Sequence, residues 1–196
     1  MDSISKLRNE SLRKRKHLSD QDRKKSHQLA SHLLISLIEK LNPKTVALYL
    51  STPHELSTSS TLTQLLTKKI QVALPILHPF QPNALLFQRF QNHTPTIVNK
   101  FKIQEPQLNC LDVMPIEKIE LFILPLAAFD TQGNRIGMGS GYYDRALARW
   151  KENKSVHIGL AYECQKVSQI SPQPWDVPLH YVVTPQSIYD CNPVHI

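Results

Sequence analysis

IELFILPLAAFDTQGNRIGMGSGYYDRAL, residues 119–147, carries three signals in one run. Ile119 to Leu124 is a near-continuous apolar segment rich in branched side chains, the pattern of a strand buried on both faces. From about Tyr142 to Glu152 the sequence predicts an amphipathic helix. Between them lie four glycines, Gly133, Gly137, Gly139 and Gly141, in a chain that has only five. Glycine allows positive φ and close backbone approach to a ligand. Successive N–H groups before a helix make an anion cradle, and Arg135 can add a bidentate contact to phosphate. The bland alternative is a Gly-rich strand-to-helix turn, although a plain turn needs only one or two glycines. The loop is no Walker A, because no Gly-Lys-Ser/Thr ends it. Its GxGxG spacing, late in the chain, is also a poor dinucleotide fingerprint. It points to phosphate and leaves the reaction open.

Two carboxylates extend this reading. Asp144 follows the loop by one helical step, and a carboxylate beside bound phosphate is the usual partner of Mg²⁺. It would equally well favour the helix dipole. Asp176, in Gln173-Pro174-Trp175-Asp176, is a second candidate; its plain role is a loop cap.

Outward from this stretch, strands alternate with helices. A first helix is predicted from about Ser5 to Lys16, weakly amphipathic through Leu7 and Leu12. A second begins at Ser19 as N-cap with Asp22 three residues on, and Asn42-Pro43 stops it. Thr45 to Leu50 reads as a buried strand, Glu55 to Lys69 as a helix, and Gln71 to Leu74 as a strand ended by Pro75. Ala84 to Phe90 suits a strand nearer an edge, and residues 91–116 a long irregular connection. Val156 to Ala161 and a final Tyr181 to Thr184 complete the set. This order implies one α/β domain over residues 1–196, with a mostly parallel sheet covered by helices on both faces.

Composition narrows the function classes. With 196 residues, 41% hydrophobic and 20% charged, the chain has the make-up of a soluble globular protein. The longest apolar run, Leu121 to Phe129, is broken by Pro125 and falls far short of the roughly 20 residues that span a bilayer. The first residues lack the apolar core of a secretory signal. Cys110, Cys164 and Cys191 are odd in number and widely spaced, which suits reduced thiols in a cytoplasmic protein. The net charge of +7 is concentrated: residues 1–25 carry +5 and the other 171 carry +2. That basic N-terminal arm reads as a solvated helix face or as an anion-facing surface. A nucleic-acid module would interleave aromatic platforms with the basic residues, and residues 1–25 contain no Phe, Tyr or Trp.

FDTQGNRIGMGSGYYDR closely resembles the signature of the 5-formyltetrahydrofolate cyclo-ligase family, also called methenyltetrahydrofolate synthetase. The likeness continues through Leu7 to Lys16, YLSTPHELST (Tyr49 to Thr58), Ile103 to Pro106, Gly159 to Gln165 and Trp175 to Pro185. It implies a fold related to ribose-5-phosphate isomerase and CoA transferases. It also implies conversion of 5-formyltetrahydrofolate to 5,10-methenyltetrahydrofolate, with ATP and Mg²⁺ consumed or required and ADP and phosphate released. By that resemblance Arg135, Ile136, Gly137, Met138, Gly139, Ser140, Gly141, Tyr142 and Tyr143 bind ATP, with Arg8 reaching its phosphates. Met138 to Tyr142, with Thr52, Glu55 and Ser57, line the folate site. Asp144 and Asp176 hold Mg²⁺, and Arg135, Tyr142 and Asp144 are the catalytic candidates. The chain departs from the family pattern at Ile4, Ser57, Ser140 and His180. A monomer acting on a small molecule, with neither nucleic acid nor membrane as partner, is the resulting expectation. Two other readings stand beside it: a nucleic-acid module using the basic arm, and a fold-related sugar-phosphate isomerase or acyl-CoA transferase, since fold does not fix function.

Overall fold

The computed structural model describes residues 3–149, 152 and 154–191. Two helices open the chain, α1 (Ser3–Lys16) and α2 (Asp20–Leu41). The Ser19 hydroxyl accepts the Asp22 N–H and starts α2, and Asn42 ends it in the left-handed conformation at φ 51. Then come β1 (Thr45–Ala47), α3 (Ser59–Thr67), β2 (Gln71–Leu77) and β3 (Leu85–Phe90). A hairpin of β4 (Thr96–Val98) and β5 (Gln104–Pro106) precedes β6 (Val113–Met114) and β7 (Leu121–Pro125). β8 (Ala128–Phe129) and β9 (Arg135–Ile136) form a second hairpin, followed by α4 (Tyr142–Ala146), β10 (Val156–Leu160), β11 (Tyr181–Val183) and β12 (Ile188–Asp190).

Eight of these strands form one sheet in the order β12-β11-β10-β7-β1-β2-β3-β6. The five from β11 to β2 run parallel. Antiparallel neighbours close both margins. The strand at Ile119 to Leu124 is thus the centre of the sheet, with Val46 paired to Leu121 on one side and Val156 on the other.

Alternation along each strand sends side chains to two cores. Val46, Val72, Leu121, Ile123, Ile158 and Val183 meet Leu34, Leu37 and Ile38 of α2 and Leu65 of α3. Ala47, Ala73, Phe122, Leu124 and Val182 face the other way, toward Leu147 after α4 and the Val177 and Leu179 segment. Each fully buried leucine contributes about 1.5–3 kcal/mol through area removed from water. Among the described residues no helix is long and apolar enough to cross a membrane.

Five sequence expectations need correcting. α3 starts at Ser59, not Glu55, because side chains hold residues 52–58 in a loop. The Thr58 hydroxyl donates to the Tyr49 carbonyl at 2.7 Å, and the Glu55 carboxylate takes the Thr52 N–H at 2.8 Å. β2 continues through Pro75 to Leu77. The Ala73 carbonyl accepts from Leu48 on the β1 side, so Pro75, two residues on, lacks its N–H only where β1 has already ended. Residues 91–116 are not irregular throughout but contain the β4–β5 hairpin and β6. Tyr181–Val183 is not last, since β12 adds an antiparallel edge. α4 ends at Ala146, short of the Glu152 expected; residues 150 and 151 of that stretch lie outside the described residues.

His157 on β10 is fully buried, with its ring edge-on to Phe122 and 5.2 Å from the ring of His180. Burial, and then His180, push its pKa down to about 3 from the usual 6.5. Above pH 6.5 both folded and unfolded chains keep it neutral. Below that the unfolded chain binds the proton first, so stability falls as pH drops toward 3. At about 1.4 kcal/mol per unit, its share of the loss reaches about 2 kcal/mol by pH 5. Urea unfolding of the wild type and of His157→Gln at pH 7 and pH 5 should show a smaller pH loss in the variant. Equal losses would remove His157 from the account.

Candidate active site

The carboxyl ends of three neighbouring parallel strands open into one cavity of about 300 Å³. Tyr49 and Leu50 follow β1, Leu77 ends β2 and Pro125 ends β7, and all four line it. Ligands of open α/β sheets gather at such ends. The remaining walls are the glycine loop with the start of α4, the Thr52 and Glu55 loop, and the β4–β5 hairpin.

The glycine loop does two jobs with different residues. Gly133 serves packing: at φ +86, a Cβ there would lie 2.4 Å from the Leu179 carbonyl oxygen. Gly139, at φ +104, has space around it, the nearest atoms being the Arg8 guanidinium at 3.8 Å. No packing demand explains glycine at 139, only the backbone conformation and what approaches it. The anion cradle expected at a helix start rests on this loop, because α4 has five residues and adds little dipole.

α1 brings Arg8 to the loop. Ile4, Leu7 and Leu12 pack with Ala127, Ala128 and Ile136, docking the helix on the β8–β9 hairpin. Arg8 Nε then donates to the Gly137 carbonyl at 2.9 Å. The Ile136 side chain packs in this contact, and neither it nor Arg8 or Gly139 is among the residues that line the cavity. The basic arm divides accordingly: Arg13, Lys14 and Lys16 are exposed, and Arg8 turns inward.

Arg135 lies under the loop. Its Nη2 donates to Asp144 Oδ1 at 2.5 Å, an ion pair whose side chains are 3% and 20% exposed. Its Nε is buried with no hydrogen-bond partner among the described residues. A guanidinium donor left that way costs about 1–3 kcal/mol or more. The Val177 N–H reaches the same Asp144 Oδ1 at 3.5 Å, so both contacts fall on one carboxylate oxygen.

Asp176 sits beside that N–H in the chain, yet its own bonds are local. Its Oδ2 takes the Gln173 N–H at 2.8 Å and its N–H returns to the Gln173 carbonyl. It closes its loop and does not line the cavity. Ser57 also stays outside, its hydroxyl engaged with Ser59 at the start of α3. Thr52, Glu55, Gly137, Met138, Ser140, Gly141, Tyr142 and Tyr143 all line the cavity with Arg135 and Asp144. Burial, and then the Glu55 carboxylate, hold the phenols of Tyr143 and Tyr49 well above their ordinary range. Both therefore remain protonated donors. Tyr142 stands at the mouth between the Arg145 guanidinium, 5.8 Å from its centroid, and the edge of Phe101 at 6.0 Å.

Sequence reading missed the hairpin wall: Asn99, Phe101, Ile103 and Glu105. β4 is exposed along its length, so no alternation marked it as a strand. The available signal was a lone Glu105 between Ile103 and Pro106, a short stretch already matched to the family.

Comparison with known proteins identifies the family. The model of the 5-formyltetrahydrofolate cyclo-ligase family matches residues 1–185. The chain is 39% identical over 173 residues to the 5-formyltetrahydrofolate cyclo-ligase of Haemophilus influenzae, covering 88% of this chain and 92% of that one. It is 36% identical over 177 residues to the enzyme of the same name from Escherichia coli K12, covering 90% and 97%. The NMR structure of Aquifex aeolicus 5,10-methenyltetrahydrofolate synthetase superposes with a TM-score of 0.82 at 30% identity, covering 96% and 93% of the two chains. The chain belongs to the 5-formyltetrahydrofolate cyclo-ligase family and is an enzyme of that kind.

Proposed function

We propose that the cavity holds ATP and 5-formyltetrahydrofolate together and drives ring closure by phosphorylating the formyl oxygen. The observation that carries this reading is Arg135, a buried guanidinium with one arm on Asp144 and an Nε still without a partner among the described residues. With Arg8 beside Gly137 and Gly139, two guanidiniums stand against one backbone loop, the chemistry that phosphate oxygens satisfy. Among the described residues no cluster of three His, Cys, Asp or Glu could hold a metal alone. The donors instead fit Mg²⁺ as it binds with nucleotides, through one or two carboxylates and phosphate oxygens. Asp144, whose Oδ2 has no partner among the described residues, is the first such carboxylate and lines the cavity. Asp176, outside the lining but next in the chain to Val177, whose N–H reaches Asp144, is the second candidate. Bound there, Mg²⁺ would neutralise charge on the phosphates.

The N5-formyl group is amide-like, and its carbon is a poor electrophile. Its oxygen attacks the γ-phosphorus as the bond to ADP breaks. N10 then attacks the formyl carbon, the carbon–oxygen bond to phosphate breaks, and the N10 proton leaves. The protein's part is alignment and charge: Arg8 and Arg135 hold the phosphates, and the Gly137–Gly141 backbone follows them. Tyr143, protonated at all working pH values, is a donor on the folate side.

Purified protein with Mg²⁺, ATP and 5-formyltetrahydrofolate should form the methenyl chromophore with one ADP per product. ADP release that ignores the folate would overturn this reading.

A further inference from the structure

Glu105 is a charged side chain in an otherwise apolar wall. It is 8% exposed and lines the cavity beside Leu77, Leu85, Phe101 and Ile103. Both of its hydrogen bonds fall on Oε2, which accepts the Leu77 N–H at 3.1 Å and Asn99 Nδ2 at 2.9 Å. Among the described residues no donor meets Oε1, and no Lys or Arg pairs with this carboxylate. Two neutral donors leave a buried charge expensive. A third and fourth from a ligand would offset that cost.

The other two cavity carboxylates stand elsewhere. Asp144 is bound to Arg135 under the phosphate loop, and Glu55 faces Tyr143 and Tyr49. Glu105 is on the hairpin wall, held by the end of β2. A flat ring with adjacent N–H donors on one edge would slide between Leu77, Leu85 and Phe101 and end on this carboxylate. The reduced pterin of a folate has that edge, its 2-amino group beside N3–H.

We infer that Glu105 is the residue that recognises the pterin edge of the substrate, taking the 2-amino and N3 protons, with Asn99 fixing its orientation. This rests on the folate reading above and names the part of the substrate that the hairpin wall selects. Charge-assisted hydrogen bonds of this kind are the strong ones.

Glu105→Gln tests it with little risk to the fold. The amide oxygen can keep the bonds to Leu77 and Asn99, and its NH₂ then replaces Oε1, setting donor against donor. The KM for 5-formyltetrahydrofolate should rise about 30-fold or more, with the KM for ATP within about twofold. The 2-desamino analogue of the substrate supplies the second arm. Wild-type enzyme should discriminate against it by a similar factor, and the variant should not. Asn99→Ala, at a partly exposed position, should give a smaller rise in folate KM alone. Should Glu105→Gln not fold, Asn99→Ala carries the same comparison: weakened discrimination against the 2-desamino analogue supports the inference and wild-type discrimination overturns it. Unchanged folate KM in a folded Glu105→Gln, or parallel changes in both KM values, would also overturn it. An inactive wild type would instead remove the folate reading beneath it.

Discussion

Asp144→Asn should lower kcat/KM by about 10³-fold and raise the magnesium needed for half-maximal activity steeply, since in the proposed reaction transition-state charge on phosphate is the main thing to be stabilised. The amide oxygen can still accept from Arg135 and Val177, so the geometry at Oδ1 survives while the charge does not. Some stability should go too, because Arg135 is left buried without its counter-ion. Asp176→Asn is the cleaner partner experiment. Its bond from the Gln173 N–H needs only an oxygen, which asparagine retains. Any rise in its magnesium requirement must then come from lost charge. If both carboxylates act on one ion, the double variant loses less than the two single variants combined. Magnesium titrations of activity in all three decide it. Strictly additive losses, or no effect of Asp176→Asn, would return Asp176 to closing its own loop.

The second large effect contrasts two glycines of one loop. Gly139→Val places a branched residue at φ +104, where only the Arg8 guanidinium stands near the new side chain. Backbone strain of about 1–3 kcal/mol is expected at such a position. Because the loop is exposed and outside the core, the fall in Tm should be a few degrees. ATP affinity should fall about 100-fold or more, as the backbone is forced from its path and Arg8 is displaced. Gly133→Ala should do the reverse. Its Cβ would strike the Leu179 carbonyl at 2.4 Å, so stability drops while a folded fraction binds ATP normally. Calorimetric titration with ATP, paired with thermal unfolding, separates the two. Normal ATP affinity in a folded Gly139→Val would make the whole loop a turn.

What could be read before the structure was what leaves a periodic or compositional trace. Ile119 to Leu124 is central because a strand buried on both faces must be apolar at every position. Ser19 and Asn42-Pro43 bound α2 because capping chemistry is local. Four of five glycines in nine residues located the loop. The failures are tertiary. Glu55 to Thr58 has helical composition, yet Tyr49 and Thr52 claim its side chains. Pro75 ended a strand on paper but sits where its neighbour has already stopped. Glu105 lies in the stretch Ile103 to Pro106 that matches the family, but its place in a cavity wall depends on partners, Leu77 and Asn99, 28 and 6 positions away. Asp144 was legible as a carboxylate beside the glycine loop, but its ion pair with Arg135, nine residues earlier, was not.

Phosphorylation of the formyl oxygen can be followed directly. 5-Formyltetrahydrofolate carrying ¹⁸O in its formyl group is converted by the enzyme with unlabelled ATP and magnesium, and the released phosphate is analysed by mass spectrometry. One ¹⁸O per phosphate is expected, because the oxygen that attacks the γ-phosphorus leaves with it when N10 closes the ring. Unlabelled phosphate, with the ¹⁸O in water, would contradict phosphoryl transfer to the formyl group in this cavity.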